Sequence, residues 1–185
     1  AYVLMTNHIH LLLTPPEKRM LSKAMRIVGA RYVPYFNQKH GRCGTLWQGR
    51  FKTCLVQSEN YCLNVIRYIE LNPIRARLCA MPEEYRWSSV HQHVGLAVDK
   101  LLSSHTCYLG LGCNDQSCVD AYRTILHQGI SDEDLADIRI GIQQERALGN
   151  PRFLALVEKT LHRPVQWRPV GRPIVNSNVN DLRPI

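Results

Sequence analysis

No stretch of this chain stays apolar for the ~20 residues that a bilayer-spanning helix needs. No two cysteines have CxxC spacing, and the start lacks the charged, apolar and small-residue succession of a secretory signal. These absences exclude a membrane span and a secreted disulfide framework, and they predict a globular cytoplasmic protein with reduced thiols. The seven cysteines (43, 54, 62, 79, 107, 113 and 118) are an odd number. Only Cys107, Cys113 and Cys118 cluster, at a spacing that fits no common zinc pattern. Cys54 and Cys62 fall in strand-like and helical patterns, where a thiol behaves as a small apolar group. A starting Met with some lead-in is lacking as well. The sequence opens at Ala1 inside the apolar run Tyr2-Val3-Leu4-Met5, which points to missing N-terminal sequence.

Acidic residues are scarce in one half only. Residues 1–90 hold 13 Lys/Arg against 5 Asp/Glu, whereas residues 91–185 hold 10 against 10, so the net charge of +8 lies entirely in the first half. A basic face can be solvated surface and nothing more. Concentrated in one segment, it favours a polyanionic partner, because each phosphate it neutralises releases counterions. The 185 residues suffice for one good core with a smaller appendage.

Residues 2–13 read as one strand, polar only at Thr6, Asn7, His8 and His10 and closed by Thr14-Pro15-Pro16. A helix is expected from about Glu17, kinking or restarting near Val33 because Pro34 lacks an amide hydrogen. Residues 46–56 read as extended. Ser58 is the expected N-cap of a helix over about 59–71 that Pro73 terminates. On its wheel Cys62, Val65, Ile66 and Ile69 make a core stripe, Tyr61, Asn64, Tyr68 and Asn72 an adjacent edge, and Glu70 lies opposite Tyr68. Residues 91–130 read as short helices and loops. A helix is expected from Ser131 to about Leu148 and another over 152–162, a pairing similar to helix-turn-helix DNA readers. The Pro-, Asn- and Arg-containing tail from Arg163 is expected to be mobile.

His8 and His10 alternate along an extended segment, so both imidazoles share one face, ~7 Å apart at Cα, with Ile9 and Leu11 buried on the other. Such a pair can close on a metal ion, or can be two histidines on a half-exposed strand. Leu12 stands where a histidine triad would need a third imidazole. Tyr68 and Asn72 are one helical turn apart. A phenol of pKa near 10 attacks phosphorus poorly until a cation lowers the cost of its phenolate or polarises the phosphate. An amide oxygen beside it could complete the coordination of a hard cation such as Mg2+ or Mn2+. Taken singly, Tyr68 is equally a core-edge aromatic and Asn72 a helix C-cap.

Four segments in order change that balance. Met5-Thr6-Asn7-His8-Ile9-His10-Leu11-Leu12 resembles the MPNHxHLL signature of single-tyrosine HUH transposases. Leu46-Trp47-Gln48-Gly49-Arg50-Phe51 resembles their WQxRF segment, and Arg67 to Ala76 (RYIELNPIRA) is similar to their YIxxNPVRA helix end. Tyr85-Arg86-Trp87-Ser88-Ser89 resembles the YxWSS element that follows. The branch most similar is that of the REP-associated tyrosine transposases, over about residues 1–90.

The resemblance implies an α+β fold, with a ferredoxin-like antiparallel sheet carrying helices on one face, then a helical C-terminal region. It makes residues 1–90 the catalytic core; beyond it the pattern reads as a helical region (91–162), which its helix pair would make DNA-binding, and a tail (163–185). It makes His8, His10 and Asn72 ligands of Mg2+ or Mn2+, and Tyr68 the nucleophile that cleaves and rejoins single-stranded DNA beside a hairpin through a 5′-phosphotyrosine. Trp47, Gln48, Arg50, Phe51, Lys52 and Arg75 would contact the DNA by base stacking, base-edge reading and phosphate neutralisation. The implied partner is a hairpin resembling a REP palindrome, bound by a monomer or homodimer in the nucleoid-containing cytoplasm. Thr6 replaces the family's proline, and Pro34 interrupts a helix that normally runs unbroken. The family also has about fifty residues before the HUH strand. The alternative expectation is therefore an inactive, truncated or domesticated relic that only binds DNA.

Overall fold

The computed structural model describes residues 1–165, so residues 166–185 of the expected tail lie outside it. The fold is α+β, with two small two-stranded sheets and a mostly helical C-terminal part. Among the described residues no helix is long and apolar enough to cross a membrane.

The single N-terminal strand expected from the sequence is a hairpin. β1 (Tyr2–Leu4) pairs antiparallel with β2 (Ile9–Leu11), with Val3 opposite His10 and Leu4 opposite Ile9. Met5 N–H donates to the His8 carbonyl at 2.9 Å, closing a two-residue turn at Thr6-Asn7. Two polar residues inside an apolar run are the signal that a one-strand reading passes over. The hairpin face opposite the histidines is not buried as expected: Ile9 is half-buried, and Leu11 and Leu4 are exposed.

α1 (Met20–Lys39) runs for 20 residues straight through Pro34, neither stopping nor restarting there. It begins three residues later than expected and buries no residue fully, so it lies on the surface throughout. The expected strand over 46–56 shrinks to β3 (Leu55–Val56); residues 45–54 form turns without regular pairing. β3 pairs in parallel with β4 (Ala147–Leu148), which ends the expected 131–148 helix early.

α2 (Ser58–Glu70) is the centre of the molecule. Gln57 is its N-cap, one residue before the expected Ser58, and makes no side-chain capping bond. Its Oε1 instead accepts from Asn150 N–H at 2.8 Å, fastening the β3–β4 pair. Pro73 does not simply end the helix. α3 (Asn72–Arg75) follows at once with Pro73 in its first turn, where a missing N–H is harmless.

The stripe of α2 splits over two cores. Cys62 and Ile66 pack with Val90 and Val94, with Tyr108 of α5 (Thr106–Leu109), and with Cys118, Tyr122 and Leu126 of α6 (Asp115–His127). Val65, Tyr68 and Ile69 pack with Val3, with Ile138 of α7 (Asp132–Gln143) and with Leu148. Ser131 caps α7 by accepting from Asp134 N–H, as a Ser before an acidic first turn should. The segment between Val90 and His127, with α4 (Val90–His93) at its start, supplies most of one core, although its sequence pattern shows only short helices and loops. α8 (Pro151–Leu161) is capped by Asn150, close to the expected 152–162.

The YxWSS element ties the hairpin to α2. Leu4 N–H donates to the Trp87 carbonyl at 2.9 Å, Ser89 N–H to the Tyr2 carbonyl at 3.0 Å, and Tyr85 OH to the Leu4 carbonyl at 2.7 Å. Ser88 bridges Val3 in antiparallel fashion, so residues 87–89 form a third short edge beside β1.

Candidate active site

His8 and His10 sit on the hairpin face that turns towards α2, the face shared with fully buried Val3. Their ring centroids are 4.9 Å apart, and His10 stands edge-on to the Tyr68 ring at 5.6 Å. Thus the residues that the sequence separates by sixty positions meet. Burial, helped by neighbouring His8 and Arg75, pulls His10 down to about 4, so its imidazole is neutral at pH 7 and keeps a lone pair for a ligand. His8 Nδ1 lies 2.7 Å from Asn7 Oδ1, which fixes that nitrogen as the N–H and frees Nε2.

Tyr68 is 7% exposed. Its backbone carbonyl accepts from Asn72 Nδ2 at 2.9 Å and from the Arg75 guanidinium. The Asn72 bond holds the amide in one orientation, leaving Oδ1 with no hydrogen bond among the described residues. Arg75, expected among DNA contacts, lies against the tyrosine, its guanidinium carbon 4.6 Å from the ring centroid. Burial lowers Arg75 to about 10, with Tyr68 opposing and Arg139 adding to the shift, so it remains cationic at neutral pH. The short α3 turn begun by Pro73 brings Arg75 back over Tyr68. That geometry could not be read from a helix assumed to end at Pro73.

A groove of about 1180 Å3 runs in front of these groups. Its walls include His8, His10 and Tyr68 together with Trp47, Gln48, Arg50, Phe51 and Lys52 and residues of α1. The two aromatics are 37% and 38% exposed, although Trp47 leans on α1 at 6.1 Å from the Tyr32 ring and beside Gly29. Gln48, Arg50 and Lys52 are exposed. Asn72 and Arg75 stand behind the tyrosine and do not line the groove.

Residues 1–72 match the family model described as Transposase IS200 like. The match covers 72 of the 185 residues. It contains both histidines, the 46–52 loop, Tyr68 and Asn72, and ends before Arg75. No curated protein and no solved structure matches the chain.

One group behind the site escapes sequence reasoning. Glu70, fully buried, accepts from Ser89 Oγ at 2.5 Å and Tyr122 OH at 2.6 Å, and its Oε1 lies 2.6 Å from His93 Nδ1. Burial and the adjacent carboxylate push Tyr122 well above the usual phenol range, so it stays a donor. A signal does exist. Glu70 continues the ridge of Cys62 and Ile66 at four-residue spacing, a position where a carboxylate must find partners.

Proposed function

We propose that this chain is a transposase that cleaves and rejoins single-stranded DNA next to a hairpin, with Tyr68 as nucleophile. The carrying observation is the meeting of His8, His10 and Tyr68 at one end of a groove whose wall bears two exposed aromatics and two cations. Tyr68 Oη would form a bond to phosphorus as the bond to the 3′ oxygen breaks, the phenol proton passing in net to that oxygen. A 5′-phosphotyrosine and a 3′-OH result. Attack by another 3′-OH reverses the step without an external energy source.

Arg75, face-on to the ring, would stabilise negative charge developing on the phenol and hold the ring through the Tyr68 carbonyl. His8 Nε2 and neutral His10 are the groove donors suited to Mg2+ or Mn2+, and the Oδ1 of Asn72, which stands behind the tyrosine, would join them only by swinging forward. A cation held by them would polarise the phosphate and ease departure of the 3′ oxygen. Trp47 and Phe51 would stack on unpaired bases, Gln48 would read base edges, and Arg50 and Lys52 would meet phosphates.

The test is incubation of the protein with Mn2+ and a hairpin oligonucleotide bearing single-stranded flanks, followed by denaturing electrophoresis. A covalent adduct is expected. His8→Ala or His10→Ala should lower the rate of its formation by ~10²-fold or more, the worth of a few kcal/mol of charge stabilisation, with DNA binding retained. Binding with no adduct would reduce the protein to a DNA-binding module. Cleavage without an adduct would indicate water as nucleophile.

The basic wall of the groove carries its own expectation. In a titration of single-stranded DNA against salt, Arg50→Ala with Lys52→Ala should flatten the log–log slope by roughly 1.4, at ~0.7 for each phosphate no longer neutralised. An unchanged slope would place the DNA elsewhere.

A further inference from the structure

The sequence cluster of Cys107, Cys113 and Cys118 does not assemble: Cys113 is exposed, and the Cys118 thiol turns to the carbonyls of Leu109 and Gly112. Cys107 instead meets two residues outside that cluster. Cys62 of α2, His105 and Cys107 bring one ligand atom each to within 4.8 Å of the others. His105 Nδ1 lies 3.5 Å from Cys62 Sγ and 3.0 Å from Cys107 Sγ.

We propose that Cys62, His105 and Cys107 bind a zinc-class divalent ion, forming a second metal centre apart from the His8–His10 groove. Zn–S bonds of ~2.3 Å and Zn–N bonds of ~2.0–2.1 Å at tetrahedral angles separate sulfur from nitrogen by about 3.6 Å and two sulfurs by about 3.8 Å. The observed 3.5 Å between Cys62 and His105 meets that spacing directly, and Cys107 needs a shift of roughly half an ångström relative to His105. Two thiols and an imidazole are a soft donor set. It selects zinc over the hard Mg2+ or Mn2+ suited to an oxygen-bearing site. Three protein ligands leave a fourth position for water or another donor.

Position supports the reading. Cys62 is buried in the core beneath α5, while His105 is the N-cap of α5 and Cys107 lies in its first turn. His105 Nδ1 now accepts from Cys107 N–H at 3.2 Å; an ion would take that lone pair and draw the α5 N-terminus onto α2. Since α5 has only four residues, a metal staple would give it an anchor that its own hydrogen bonds cannot. Cys62 and Tyr68 face different cores of the same helix, so the centre would brace the tyrosine's helix from the far side without touching DNA.

The test is titration of the reduced, chelator-treated full chain with Co2+. The expected result is a near-ultraviolet thiolate-to-cobalt band that saturates at one equivalent and is displaced by Zn2+, with Zn2+ raising the melting temperature. Cys107→Ser should abolish the band. His105→Ala should weaken binding by more than 100-fold, beyond the ~10–100-fold cost of losing a residue that merely supports a ligand. The double variant His8→Ala/His10→Ala should keep the band intact. Buried Cys62→Ser is used only if circular dichroism shows it folded; the half-buried Cys107 and His105 carry the test otherwise. Absence of a thiolate band in the reduced protein, its persistence in Cys107→Ser, or formation of a Cys62–Cys107 disulfide with no metal uptake would each overturn the proposal.

Discussion

Tyr68→Phe is expected to abolish covalent attachment to DNA while leaving the fold intact. The rate of adduct formation should fall by at least ~10³-fold, because removing a nucleophile removes the reaction path itself. The melting temperature should stay within a degree or two, since the phenyl ring keeps its place between His10 and the Arg75 guanidinium. No hydrogen bond to the Tyr68 hydroxyl occurs among the described residues, so its loss strands no buried partner. The measurement is paired: single-turnover cleavage of a hairpin substrate and a thermal melt of the same preparation. A variant that lost both activity and stability together would make Tyr68 a packing residue.

Glu70→Ala should do the reverse, acting on stability first. Truncation leaves Ser89, His93 and Tyr122 facing a buried gap with no acceptor. Breaking a buried charged hydrogen-bond set in this one-sided way costs about 3–5 kcal/mol. For a chain of this size that corresponds to roughly 6–20 °C in melting temperature. Glu70→Gln keeps one oxygen acceptor and should lose less than half as much. The carboxylate joins α2 to the 87–93 segment and to α6, and Ser89 in turn accepts from Tyr2 N–H of the hairpin. Its loss should therefore loosen the hairpin relative to Tyr68, and adduct formation at temperatures below the transition should fall as well. A melting temperature unchanged in Glu70→Ala would show that the cluster does not hold the site together.

The site is legible in the sequence where chemistry and periodicity coincide. HxH spacing on an extended segment places two imidazoles on one face whether that segment is a single strand or, as here, the second arm of a hairpin. Helical spacing puts Asn72 one turn beyond Tyr68, and the amide, at the start of α3, does reach back to the tyrosine carbonyl. The apolar stripe of Cys62, Val65, Ile66 and Ile69 is buried throughout. What escapes depends on pairing between distant segments. Thr6-Asn7 reads as a polar interruption until β1 and β2 are seen to pair. Trp87 to Ser89 are a motif without a structural role until their backbone lies along β1. Pro34 reads as a break, yet an exposed helix can lose one hydrogen bond and continue when its neighbours hold. Glu70 and Arg75 have neighbours that no sequence pattern shows, for a common reason. Charged side chains are seldom buried unless paired, and only tertiary partners reveal where one is.

Tyr68 as nucleophile is tested most directly by mapping the covalent adduct. The protein is reacted with Mn2+ and a hairpin oligonucleotide whose single-stranded flank carries a label on the 3′ side of the cut, then digested with protease and nuclease for mass spectrometry. The expected product is a nucleotide joined through its 5′ phosphate to the peptide containing Tyr68, together with release of a free 3′-OH end. Attachment to any other residue, or cleavage that leaves the protein unmodified, would contradict the assignment.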